Sequence, residues 1–160
     1  MMNSIHFEKA QEVDDIAGVI KDIFDIDLDI SGGWGYDYNN PLVVNSLDIT
    51  IDQFLHMFST MRANIEMNLL LDDENRYGGI NATFLEAKKL VLDNNTFDVV
   101  TYKISAIKEK KYAEFIKEYK DGYGKKEFDI TKHFENRQKY TISREVDYWF
   151  LGLEECQIKG

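Results

Sequence analysis

The sequence predicts an α+β fold, a single domain over residues 1–160 in which about three to four helices pack on one face of a mainly antiparallel sheet. Three observations lead there. Helical and strand periodicities follow one another without the regular strand–helix–strand rhythm of a parallel sheet. Two strand-like segments flank a glycine-rich connection within residues 26–44, which is the pattern of an antiparallel hairpin. With 160 residues, 44% of them apolar and 13% aromatic, the chain is long enough for one core, and its single proline argues against a linker.

The elements follow in order. Val13, Ile16, Ala17, Ile20, Ile23 and Phe24 recur at three- and four-residue steps, which places them on one face of a first helix. The next segment, "DIDLDIS", alternates, predicting a strand with Ile26, Leu28 and Ile30 inward and Asp25, Asp27 and Asp29 on a wet face. "PLVVN" reads as a second short strand, since a proline is tolerated at a strand start. Phe54, Leu55, Phe58, Met61 and Ile65 mark a second helix, whose end is open because "IEMNLLL" also alternates like a strand.

"DDENRYGG" is a polar loop. Thr83 and Glu86 then have capping-box spacing ahead of Leu90, Val91 and Leu92, which favours a short helix over 83–92, with a strand turning at "DNNT" as the alternative. Val100, Tyr102, Ile104 and Ala106 alternate as a strand, and Tyr112, Phe115, Ile116 and Tyr119 form a helical face that stops before Gly122. Over 140–153 both periods fit. The aromatic and β-branched residues Tyr140, Ile142, Val146, Tyr148 and Phe150 favour the strand.

Composition narrows the chemistry. Cys156 is the only cysteine, so neither an intrachain disulfide nor a cysteine-rich zinc site can form. The N-terminal residues lack the pattern of a secretory signal, and no run approaches the roughly 18 apolar residues of a membrane span, so a cytoplasmic protein with no membrane partner is expected. Lysine outnumbers arginine 15 to 4 and there are 11 asparagines, a bias that matches an AT-rich bacterial genome.

Metal and cofactor motifs are not found, and none is expected. Asp25, Asp27 and Asp29 have the spacing that opens a calcium loop, but Ile30 and Tyr36 stand where its turn glycine and bidentate glutamate belong. His6, His56 and His133 show no helical pair spacing. "GYGKK" and "SGGWG" lack the spacing of a phosphate loop, and no nucleophile elbow is present. No catalytic residue is assigned. An enzyme assembled from dispersed groups such as Asp37, His56, Arg76 and His133 remains an alternative, as does a self-associating structural subunit.

The charge is uneven. Residues 1–80 carry 15 acidic against 4 basic side chains, whereas residues 81–160 carry 14 against 15. An acidic half repels phosphate, so no nucleic acid is expected there, and a basic protein would be drawn to it. Seven lysines between 108 and 126 alternate with tyrosines and acidic residues, as on a solvated amphipathic helix. The stretch "ISGGWGYDYNNPL" contains turn residues, yet a turn does not require Trp34, Tyr36 and Tyr38, the residue types that most often anchor interfaces. The expected role is therefore that of a small acidic protein docking on a basic protein partner, as a toxin-neutralising immunity protein does. Asp25, Asp27, Asp29 and Asp37 would pair with partner cations, and Trp34, Tyr36 and Tyr38 would fill its pockets, unless the rings fold back onto the core.

Overall fold

Aspartates bracket the first helix. The computed structural model describes residues 7–153 and 157–158, so His6 and Cys156 lie outside the described residues. In α1 (Ile16–Phe24) the Asp15 carboxylate accepts the Gly18 N–H at 3.0 Å, satisfying one of the donors a helix start leaves open. Asp25 then ends the helix in the left-handed conformation, φ 57°, its N–H donating to the Lys21 carbonyl.

β1 (Asp29–Gly32) and β2 (Leu42–Leu47) form the expected antiparallel hairpin, with Ile30 opposite Val44 and Gly32 opposite Leu42. Thr50 and Gln53 make a complete capping box at the head of α2 (Ile51–Asn64). The segment "IEMNL" is not a strand: it continues α2 as a π turn (Ile65–Leu69), closed by Leu70 N–H donating to the Ile65 carbonyl at 3.0 Å.

β3 (Tyr77–Leu92) and β4 (Asn95–Lys108) form one long hairpin. This overturns the helix expected over 83–92. Asp93 and Asn94 both adopt positive φ, 49° and 67°, as a two-residue hairpin turn of matching twist requires, so "DNNT" turns two strands. α3 (Glu109–Gly122) follows directly. α4 (Ile130–Tyr140), capped by Asp129 on the Lys132 N–H, was not foreseen, because its polar sequence carries no apolar stripe and buries only His133 among its residues. β5 (Ile142–Leu151) is the strand its aromatic residues favoured, and a two-residue β6 (Gln157–Ile158) follows.

The strand order is β1-β2-β5-β4-β3, with β6 beside β2. Every pairing is antiparallel except those of β2 with β5 and with β6, so the α+β class holds. β5 stands in the middle and joins the N-terminal hairpin to the β3–β4 hairpin. Ile16, Ile20, Phe54 and Phe58 from α1 and α2 form one core with Leu42, Val44, Tyr102, Tyr148 and Phe150 from the sheet. Phe58 meets Tyr148 and Phe150 edge-on at 6.3 and 5.9 Å between ring centres, a favoured aromatic geometry. α3 seats Tyr112 against the start of β3, where any side chain larger than glycine at Gly78 would run into its ring at 2.7 Å.

Candidate functional site

The predicted carboxylates do not share a strand face. Asp25 is the C-terminal cap of α1 and Asp27 lies in the connection after it, so the regular strand begins only at Asp29. The strict alternation of "DIDLDIS" resembled a strand, but the αL turn at Asp25 consumes its first residues. Asp25 and Asp27 instead converge on Lys21, at 2.9 and 3.2 Å from its Nζ, while staying about nine-tenths exposed. These bonds, Asp25 first and then Asp27, raise the Lys21 pKa above its ordinary value. Asp29 accepts from the Ser46 hydroxyl at 2.5 Å, and Asp37 accepts the N–H groups of Asn39 and Asn40 in a turn of its own loop.

Exposed carboxylates nevertheless dominate this part of the chain. Between Ala10 and Met61 ten of the eleven charged residues are acidic, and the exception is Lys21, already bridged by two of them. Asp14, Asp15, Asp22, Asp48 and Asp52 are exposed as well. Phe24 of α1 and His56, Met57, Thr60, Met61 and Asn64 of α2 line a shallow, mainly apolar groove of about 460 Å³. Ile23 adds an exposed apolar side chain to the same helix. Of these residues only His56 was singled out from sequence, and for a different role; the apolar ones escape notice because their helical spacing is also that of ordinary core positions.

The aromatic loop turns inward, which corrects its assignment as a set of three anchors. Trp34 is 2% exposed and stacks on Phe58 at 6.5 Å. Its indole N–H donates to the Gln11 carbonyl, its backbone N–H to Glu12, and its carbonyl accepts from Arg62. Gly35 supplies the close approach that makes this possible. Its carbonyl accepts the Trp149 N–H at 2.8 Å, and at φ 84° an added Cβ would meet the Trp149 carbonyl at 3.0 Å. The loop therefore seals the flank of β5. Of the three rings, Tyr38 alone is well exposed, resting on Trp149 at 6.4 Å.

Behind the loop lies a buried ion cluster that the sequence did not announce. Glu66, fully buried on the π turn, accepts the Tyr36 hydroxyl at 2.5 Å, lies 3.4 Å from Arg62 Nε, and pairs with Arg144 of β5. The Arg62 guanidinium is sandwiched between the rings of Tyr36 and Tyr148, at 4.2 and 3.9 Å, and that of Arg144 covers Phe7 at 3.8 Å. Residues 7–12 strap the cluster in, with Glu8 N–H donating to the Glu66 carbonyl and Ala10 N–H to the Tyr36 oxygen. Arg62 and Glu66 are one helical turn apart, a spacing common on surfaces. Only the tertiary fold reveals that both are inside.

Burial sets the behaviour of the two tyrosines. Tyr36 is held neutral far above its ordinary range by burial, then by the charge and hydrogen bond of Glu66, while burial pushes the Tyr148 hydroxyl up to about 12 against the opposing charge of Arg62. A phenol whose folded pKa exceeds its unfolded value of about 10 stabilises the fold fully below that pH and loses the contribution as pH climbs through about 12. Tyr148→Phe removes the buried hydroxyl that ionises, so its alkaline unfolding midpoint, followed by circular dichroism, should move to higher pH than that of wild type. An unchanged midpoint would show that burial of Tyr148 does not limit alkaline stability.

The dispersed enzyme set does not assemble. Asp37 serves its turn, Arg76 binds the Asn68 and Leu71 carbonyls and Asp73, and exposed His56 lies on α2. His133 is buried among Phe115, Tyr119, Phe128 and Phe134, with its Nδ1 3.0 Å from Glu118. Among the described residues no cluster of three or more His, Cys, Asp or Glu side chains could hold a metal ion, and no helix is long and apolar enough to cross a membrane. Lysines of the 108–126 span are partly spent on rings: Lys108 lies over Tyr77 and Lys111 over Tyr140, each at 4.4 Å. No family model matches the chain, and neither the curated proteins nor the solved structures hold a significant match to it.

Proposed function

We propose that this protein is a small acidic binding module that docks on a basic protein partner, the role a toxin-neutralising immunity protein plays. One observation carries the reading: the stretch from Ala10 to Met61 is acidic at ten of its eleven charged positions, and its single lysine is already paired. A field of one sign is costly to maintain in a folded chain and serves to attract the opposite sign. We take the exposed carboxylates of Asp22, Asp25 and Asp27, which flank Phe24 in sequence, as the acidic rim of the apolar groove that Phe24, Met57 and Met61 line. Lysines and arginines of the partner meet the rim while an apolar side chain enters the groove, so charge governs the rate of encounter and burial governs the residence time. Asp29 on β1, and Asp37 beside the exposed Tyr38 in the β1–β2 loop, belong to the same acidic stretch of the chain.

The test neutralises the rim without disturbing the backbone. Asn at position 25 keeps the left-handed cap, which Asn and Asp tolerate better than other side chains with a Cβ. Asp22→Asn/Asp25→Asn/Asp27→Asn should slow association with a basic protein captured from source-cell lysate by about tenfold at low ionic strength, with the difference fading at high salt. Neutralising Asp121, Glu127 and Glu135 alters net charge equally and should leave association nearly unchanged. Equal slowing by both triple variants would assign the effect to net charge and remove the site. If no basic protein is captured at either salt concentration, the proposed function fails.

A further inference from the structure

The far edge of the sheet carries an independent feature. Among the described residues β3 has a hydrogen-bonded neighbour on one side only, at the end of the strand order opposite β1. From Thr83 to Leu92 nearly every side chain of β3 is exposed, including Phe84 at 53%, Leu85 at 43% and Val91 at 70%. A long edge strand with exposed apolar residues on both faces is a template for pairing with another strand.

The geometry points to a second copy of this chain as the occupant, paired antiparallel through β3 about a two-fold axis at Ala87. An antiparallel self-pairing sets one residue opposite itself, and its neighbours then follow in reverse order. With Ala87 at the centre, Glu86 of each copy faces Lys88 of the other, giving two symmetric opposite-charge pairs. Both residues lie on one face, opposite Thr101 and Val99 of β4, so the pairs form on that face. Shifting the centre to residue 86 or 88 sets like charges against each other instead. Lys89 is bound within its own hairpin to Asp98 at 3.0 Å and does not compete.

The apolar residues follow. The register shift between Phe84 and Glu86 makes Leu85 an extra residue, and from Glu86 to Leu92 the strand is regular. Phe84 and Leu85 of one copy thus lie opposite Lys89 of the other, and Val91 is the diagonal neighbour of Phe84 on the same face. The acidic N-terminal region lies toward the opposite edge, so the two copies join through their electrically balanced sides and keep their acidic faces outward. The lysines of this edge therefore select a register as well as discourage other strands.

Sedimentation velocity over a concentration series tests the pairing. Wild type should reach a dimer, whereas Lys88→Glu or Glu86→Lys alone should weaken the dimer by about tenfold or more at low salt. The swap Glu86→Lys/Lys88→Glu should restore it. Ala87→Cys in a Cys156→Ser background should form an interchain disulfide under mild oxidant, and Thr131→Cys on α4 in the same background should not. Circular dichroism confirms that each variant is folded. Wild type that stays monomeric throughout, a dimer indifferent to both single reversals, a swap that fails to restore it, or equal cross-linking at the two cysteine positions would each overturn the inference.

Discussion

Replacing Glu66 with glutamine lowers the free energy of unfolding by about 3–5 kcal/mol, measured by urea denaturation at neutral pH. The substitution keeps the size of the side chain and removes its charge, which leaves Arg62 and Arg144 without the buried carboxylate they share. Among the described residues the Nε atoms of both arginines are buried without a hydrogen bond of their own, and the shared Glu66 carboxylate is the charge that balances them. Because a small domain is stable by about 5–15 kcal/mol, the variant keeps a marginal fold. Replacing the cluster together, as Arg62→Met/Glu66→Leu/Arg144→Met, recovers much of the loss, because the cost comes from an unpaired charge rather than from a missing contact. A loss below about 1 kcal/mol in Glu66→Gln would mean that water reaches the cluster and screens it.

Trp34→Ala destabilises by a similar amount, about 3–5 kcal/mol, corresponding to a fall in melting temperature on the order of 10 °C. The ring vacates a fully enclosed position on Phe58, and the Gln11 carbonyl loses its indole donor. Trp34→Phe fills much of the space and forfeits the hydrogen bond, so its cost should be smaller. This ordering separates packing from recognition. If Trp34→Ala kept wild-type stability and lost partner binding, the loop would be a recognition element and the inward packing of the ring would be wrong. If it loses stability, and binding returns at a temperature where the variant is folded, Trp34 serves the scaffold and the exposed carboxylates serve the partner.

Much of this architecture could be read from residue spacing, and the failures share a physical cause. α1, α2 and β4 were legible because each presents one apolar face to one core, so periodicity and burial coincide, whereas β5 fitted both periods and only its aromatic and β-branched residues favoured the strand. β3 was misread because beyond Ala82 it buries neither face, which leaves no alternation to detect, and because Leu85 shifts its phase. α4 escaped for a related reason: its buried residue is a histidine, and its start is marked only by Asp129. At the candidate site, composition located the acidic half but not the surface within it. The αL turn at Asp25 and the inward course of Trp34 arise from backbone geometry and from partners distant in sequence, such as Gln11 and Phe58. The Arg62–Glu66–Arg144 cluster depends on β5 reaching α2, a contact that no local window contains.

The central place of β5 also orders events during synthesis. Leu42 in β2 has Phe150 as its neighbour, and Arg62 reaches the Asp147 carbonyl 85 positions away. The acidic N-terminal hairpin is made first, yet the strand it packs beside emerges from the ribosome several seconds later, at roughly 5–20 residues per second. During that interval the carboxylates repel one another on a chain with no sheet to hold them apart, and closing so long a loop is slow. The N-terminal hairpin therefore stays without the strand it packs beside until residue 151 is free to dock.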